Sequence, residues 1–188
     1  MRKLASRAVA TDLAKSLDLH PSFRWGDDRE EEEEEEEVST MQIRQATIAD
    51  LDALVPLFDA YRQFYAQPSD LRGARAFLSE RFERQQSTIF LALDEAGPAL
   101  GFAQLYPSFT STRMQRIFIL NDLYVAPQGR RQGVAAALLA AAADHGRQHG
   151  AARLMLSTAI DNLDAQRVYE ANGWVRDTAF HSYNLALP

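Results

Sequence analysis

Two short stretches hold the residue types and spacings that could do chemistry. The first is Val125-Ala126-Pro127-Gln128-Gly129-Arg130-Arg131-Gln132-Gly133-Val134-Ala135. Gly133 and Ala135 leave room for a ligand to approach the main chain. The unpaired N–H groups of a helix starting here, at the positive end of its dipole, suit phosphate oxygens. Arg130 and Arg131 can add charge-assisted contacts. The second stretch runs from Asn162 through Tyr169 to Gly173-Trp174. On a helix Asn162 and Tyr169 are two turns apart, so they share a face at roughly 10 Å and could hold the two ends of an extended ligand. Each stretch also has an ordinary reading, as a glycine turn and as an N-cap Asn with a core tyrosine.

The elements that must position them follow from periodicity. Met41 to Ala46 alternates like a short strand, and Thr47 with Asp50 makes an imperfect capping box for a helix. Its stripe, Leu51, Leu54, Phe58, Tyr61 and Tyr65, has the spacing of a buried face, and Gln67-Pro68-Ser69 ends it. A second helix follows from about Leu71 to Arg84. Ile89 to Leu93 and Leu100 to Tyr106 read as a hairpin, and Ile117 to Val125 as a long strand stopped by Pro127. The Ala-rich segment Val134 to Gln148 reads as a helix ended at Gly150. Ala152 to Thr158 is expected as a strand covered on both faces, and Asn162 to Ala171 as a helix. Trp174 to Arg176 and Ser182 to Leu187 close the pattern as final strands. The order predicts an α/β domain on a mixed sheet.

Composition narrows the function. The chain has 188 residues and a net charge of −6. Residues 1–40 hold six basic and twelve acidic side chains, eight of them the run Glu30 to Glu37, so the whole excess lies there. Positions 41–188 hold fourteen Arg, no Lys and fourteen acids. A neutral body lacks the clustered positive charge of a duplex DNA binder, so no nucleic-acid partner is expected. No apolar run approaches the ~18 residues of a membrane span. Without Cys there is no disulfide, thiolate metal site or acyl-cysteine chemistry, which fits a cytoplasmic protein. The expected organisation is a disordered acidic tail over residues 1–40 and one domain over 41–188. The tail reads as a spacer or an upstream start before Met41, in preference to a transit peptide or a lure for a basic partner.

Taken together, the two stretches and the element order resemble the GNAT (GCN5-related) N-acetyltransferase superfamily. Arg130-x-x-Gly133-x-Ala135 matches its acetyl-CoA loop, [QR]-x-x-G-x-[GA]. Asn162-x-x-Ala165-x-x-x-Tyr169-x-x-x-Gly173-Trp174 matches its second acetyl-CoA segment. The resemblance covers essentially all of 41–188. The strand Ile119 to Val125 looks like the branch of yeast histone/polyamine and D-amino-acid acetyltransferases. The resemblance implies a mixed, mostly antiparallel sheet flanked by helices and direct acetyl transfer from acetyl-CoA to a primary amine. The pantetheine would pair with the main chain of Leu123 and Val125. The pyrophosphate would meet Arg130 and the amides of Arg131, Gln132, Gly133, Val134, Ala135 and Ala136, with Asn162 completing the cofactor site. Tyr169 would protonate the departing thiolate.

The acceptor is a polyamine or an amino acid on this reading. A protein N-terminus or lysine side chain is the first alternative, and a non-catalytic acetyl-CoA-binding module the second. Diamine acetyltransferases carry Glu where this chain has Asn121, and an amide cannot take a proton. Asp122 is the nearest carboxylate, but alternation points it away from Asn121 unless a bulge intervenes, so the expected base is a water relayed through polar groups here, with Asp122 a candidate participant or else a structural carboxylate. Tyr61, Phe64, Tyr65 and Tyr106 are candidate walls of the acceptor pocket beside Asn121, with Ser108 to Arg113 as a facing lid. His145 and His149, at i and i+4, lack a third ligand and read as cations near a helix C-terminus, so no metal is expected. A homodimer is expected by analogy.

Overall fold

The computed structural model describes residues 41–95 and 97–187; the expected acidic tail lies outside them. Five strands form one sheet in the order β1-β2-β3-β4-β5. They are β1 (Gln42–Gln45), β2 (Thr88–Leu93), β3 (Ala99–Thr110), β4 (Gln115–Val125) and β5 (Leu154–Met155), with helices α1 (Leu51–Phe64), α2 (Leu71–Glu83), α3 (Val134–Gln148) and α4 (Leu163–Ala171). Neighbouring strands are antiparallel except β4 and β5, which are parallel. The mixed, mostly antiparallel sheet flanked by helices is the expected one.

The sheet separates two cores. On one face Ile89, Leu91 and Phe102 pack with Leu54, Phe58, Ala74 and Leu78 of α1 and α2. On the other, Phe90, Ala103, Leu105, Phe118 and Leu120 pack with Val134, Leu138, Leu139 and Ala142 of α3. Each strand alternates between these faces, as the two-residue side-chain period requires. Thr47 and Asp50 do close the entry to α1, around a short 3-10 turn over Ile48–Asp50. The Thr47 N–H donates to the Asp50 carboxylate at 2.8 Å, and Arg44 grips the same carboxylate at 2.6 Å.

Four sequence expectations need correcting. The stretch Ser108 to Arg113 is not a separate lid: β3 runs on to Thr110, paired with Gln115 in a long hairpin with β4. Pro107 is tolerated there because β2 ends opposite Leu105, so β3 is an edge beyond that point. The strand expected over Ala152 to Thr158 shrinks to Leu154–Met155, matched only with Phe118 and Ile119 of β4. Trp174 to Arg176 and Ser182 to Leu187 form no strand, and Val175, Phe180, Tyr183, Leu185 and Leu187 are exposed. Met155 is 41% exposed, so β5 is not covered on both faces either. Finally, His145 is no surface cation. It is buried, its ring 4.9 Å from Phe118 and 4.0 Å from His149, and burial lowers its pKa, helped by His149 and Arg116.

Candidate active site

The site lies where the sheet opens. No strand pairs with β4 on the β5 side beyond Ile119, so the two strands part and leave a cleft of about 310 Å³. Leu123, Tyr124 and Val125 of β4, Arg130 and Ala135 from the start of α3, and Asn162, Ala165, Val168 and Tyr169 of α4 line it. Tyr61, Phe64 and Tyr65 from the end of α1 close one end. Of the expected acetyl-CoA residues, Leu123, Val125, Arg130, Ala135 and Asn162 come together here. The Val134 side chain is buried in the core beneath α3, and Gln132 folds back to donate to the Gln128 carbonyl at 2.8 Å.

The loop before α3 is left-handed at two positions. Gly133 has φ +78° at the helix N-cap, and no atom lies within 4 Å of where its Cβ would be. Arg131, two residues earlier, is also left-handed at φ +63°. Such a backbone costs about 1–3 kcal/mol for a side-chain-bearing residue and collects at ligand-gripping turns. Arg130 is steadied by donating from Nε to the Val125 carbonyl at 3.3 Å. Asn162 caps α4 by accepting from the Ala165 N–H at 3.2 Å, so its helix-cap reading is correct while it also lines the cleft. Tyr169 packs 6.3 Å from Trp174, and burial raises its pKa, with a smaller push from Tyr65.

The acceptor end depends on a β-bulge. Gln104 pairs with Asp122 and Leu105 with Leu120, so Asn121 is an extra residue on β4 with no partner opposite. Plain alternation would send Asp122 to the same side as Leu120, into the α3 core. The bulge turns it to the α1 face instead, where it is 5% exposed. Asn121 Nδ2 donates to Asp122 Oδ1 at 3.1 Å, and the Tyr61 hydroxyl donates to the Asn121 carbonyl at 3.3 Å while lying within reach of the Asp122 carboxylate. Burial pushes Asp122 up to about 6, against the opposing hydrogen bonds from Tyr61 and Asn121. Burial, with Asp122 nearby, also drives Tyr61 upward and Tyr106 to about 12, so both hydroxyls keep their protons at neutral pH. Tyr106 and Asn121 do not line the cleft itself; they surround Asp122 just beyond it.

A further residue holds this end in shape. Asp59, buried on α1, accepts from Ser69 Oγ at 2.7 Å, the Asp70 N–H at 2.7 Å and Gln63 Nε2 at 2.9 Å. These bonds, led by the Asp70 amide, hold its pKa below the carboxylate range and pin the α1–α2 connection that carries Phe64 and Tyr65. Sequence reasoning missed Asp59, Tyr124 and Val168. Tyr124 was within reach, being two residues past Asp122 on the same face. Asp59 sits one residue off the apolar stripe with no local signal of its partners.

Comparison with known proteins decides the family. The model of the acetyltransferase (GNAT) family matches residues 53–174. The chain belongs to the GNAT family. It is an acetyl-CoA-dependent N-acetyltransferase, and its relatives carry that name. The uncharacterized N-acetyltransferase YhfO of Bacillus subtilis (strain 168) is 49% identical over 148 residues, 79% of this chain and 99% of the relative. The aminoglycoside N(6')-acetyltransferase type 1 of Serratia marcescens is 32% identical over 116 residues, 60% of this chain and 80% of the relative. The crystal structure of a probable acetyltransferase superposes with a TM-score of 0.75 at 47% identity, covering 78% of this chain and 98% of that one. An aminoglycoside N-acetyltransferase crystallised in complex with CoA superposes at 0.64 with 24% identity, which shows the shared GNAT fold.

Proposed function

We propose that this GNAT enzyme transfers acetyl from acetyl-CoA to a small-molecule primary amine, with Asp122 as proton acceptor and Tyr169 as proton donor. The observation that carries the reading is the Asp122 carboxylate. It is buried and turned by the Asn121 bulge to the acceptor side of β4, and it is pushed up to about 6. A carboxylate in that range is ionised at neutral pH yet a stronger base than an ordinary one. Arg130, Ala135 and the amides of 131–136 would hold the phosphates of acetyl-CoA, and Leu123, Val125 and Asn162 its arm. An ammonium at Asp122 loses a proton to the carboxylate, and the freed nitrogen attacks the thioester carbonyl carbon. The N–C bond forms, the acetylated nitrogen gives up its second proton to water, the C–S bond breaks, and the departing thiolate takes the Tyr169 proton. Asp122 and Tyr169 then exchange protons with solvent.

The likeness of Ile119 to Val125 to the yeast histone/polyamine and D-amino-acid branch supports a small acceptor. So does the aminoglycoside relative, whose name assigns it a small-molecule amine. An aromatic end wall close to the carboxylate suits a compact acceptor better than a protein N-terminus or a lysine-bearing peptide. Thiol release from acetyl-CoA, measured over small amines and over lysine-containing and free-N-terminal peptides, tests this. Turnover of the small amines supports the reading. Turnover of peptides alone transfers the activity to proteins, and no turnover of any amine overturns it.

A further inference from the structure

The acceptor end of the cleft has an uneven chemistry. Tyr61, Phe64, Tyr65 and Tyr124 form a continuous aromatic wall, with ring centroids 5.2 Å apart for Tyr61–Tyr65, 5.1 Å for Phe64–Tyr65 and 6.4 Å for Tyr61–Tyr124. Phe64 is 60% exposed and Tyr65 44%, so much of this wall faces open space. Asp59 ties down the connection that follows, so the wall is fixed before any acceptor arrives. Against so much aromatic surface stands one buried carboxylate, Asp122. Asp122 lies buried just beyond the cleft, while the acid that lines the cleft itself, Asp164 on α4, is exposed and paired with Arg167 at 3.0 Å.

Resting on the acetyl-transfer reading above, we infer that the acceptor is a monoamine, with its single ammonium at Asp122 and an aromatic or bulky alkyl body against Phe64 and Tyr65. Covering exposed aromatic surface is favourable in proportion to the apolar area removed from water. A second ammonium would give up water against the same rings, where an exposed cation–ring contact returns only about 0.5–1 kcal/mol, and Asp164, the acid lining the cleft, already pairs with Arg167. The wall therefore selects against polyamines and against the polycationic sugars named for the Serratia marcescens relative.

The full chain is assayed by thiol release with 2-phenylethylamine, methylamine, spermidine and kanamycin. The expected result is a kcat/KM for 2-phenylethylamine at least about 10-fold above those for spermidine and kanamycin. Phe64→Ser, at an exposed position that does not support the core, should lower the ratio of 2-phenylethylamine to methylamine by about 10-fold. Spermidine or kanamycin matching 2-phenylethylamine overturns the monoamine inference and leaves acetyl transfer standing. So does a ratio that survives both Phe64→Ser and Tyr65→Ser. If none of the four is turned over, acetyl transfer to small amines fails and the inference fails with it.

Discussion

The two ends of the cleft are built in opposite ways. The end proposed for acetyl-CoA comes from continuous stretches: the tip of β4 and the turn into α3, then one face of α4. Its chemistry is mostly main chain, helped by small residues. The acceptor end is assembled from residues far apart in the chain, Tyr61 and Tyr65 on α1 and Asn121 and Asp122 on β4, and its chemistry is side chain, ionisable and buried. A main-chain site tolerates changes in neighbouring side chains so long as the backbone holds its shape. A side-chain site gives a different enzyme with each substitution, which is what one fold serving many acceptors requires.

That contrast can be broken or sharpened by experiment. Tyr169→Phe keeps the ring against Trp174 but removes the proton, and should lower kcat by about 10²–10³ with little change in acetyl-CoA affinity, measured by thiol release and by calorimetry. An unchanged kcat would remove Tyr169 from the chemistry. Asp122→Asn should lower kcat/KM for the amine by about 10² at pH 7.5. In the unsubstituted enzyme Asp122 is protonated below about 6, so the rate should fall on the acid side of that value. A limb that persists in Asp122→Asn belongs to another group.

Gly133→Ala should weaken acetyl-CoA binding about 10-fold by forcing a Cβ onto a left-handed backbone, with turnover recovered at saturating acetyl-CoA. Calorimetric titration reads this, and unaltered affinity would mean that the loop does not bind by its backbone. Stability should separate the two buried carboxylates by sign. Asp122 has a raised folded pKa, so its contribution is present below about pH 4 and is lost as pH rises through about 6. Asp122→Asn should therefore be more stable at pH 7.5, by up to about 2 kcal/mol, in urea titrations. Asp59 has a lowered pKa, so its contribution is present above the usual carboxylate range and lost on acidification. Asp59→Asn should be less stable at neutral pH, with the deficit closing in acid. Equal signs at the two positions would refute the assignments. The smallest effect is expected at the N-terminus: removing residues 1–40 should leave acetyl-CoA binding and turnover within about 2-fold, as a spacer predicts.

The acetyl-CoA end was the legible one because backbone chemistry leaves a local mark. Ala135, Asn162 and Tyr169 declare themselves by local spacing, and all three line the cleft. Element order through α4 was legible for the same reason. The long β3–β4 hairpin was not, because Pro107 reads as a strand stop unless the neighbouring strand is known to have ended. Asp122 could not be oriented either. Its facing depends on how β4 registers against β3, a relation between segments that neither strand records alone. Residues 182–187 alternate apolar and polar side chains, a pattern that a segment with no partner strand can also carry.

The bulge has one more consequence. Gln104 and Leu105 are adjacent on β3, and their partners Asp122 and Leu120 would be adjacent as well if Asn121 were absent. Every inward and outward position of the sheet is thus compatible with a chain one residue shorter. Asn121 is supernumerary to the architecture, an insertion that the pairing pattern carries without using. The shortened chain would be a folded control for the native enzyme, its core intact and Asp122 still opposite Gln104, but without the Asn121 bonds to Asp122 and Tyr61.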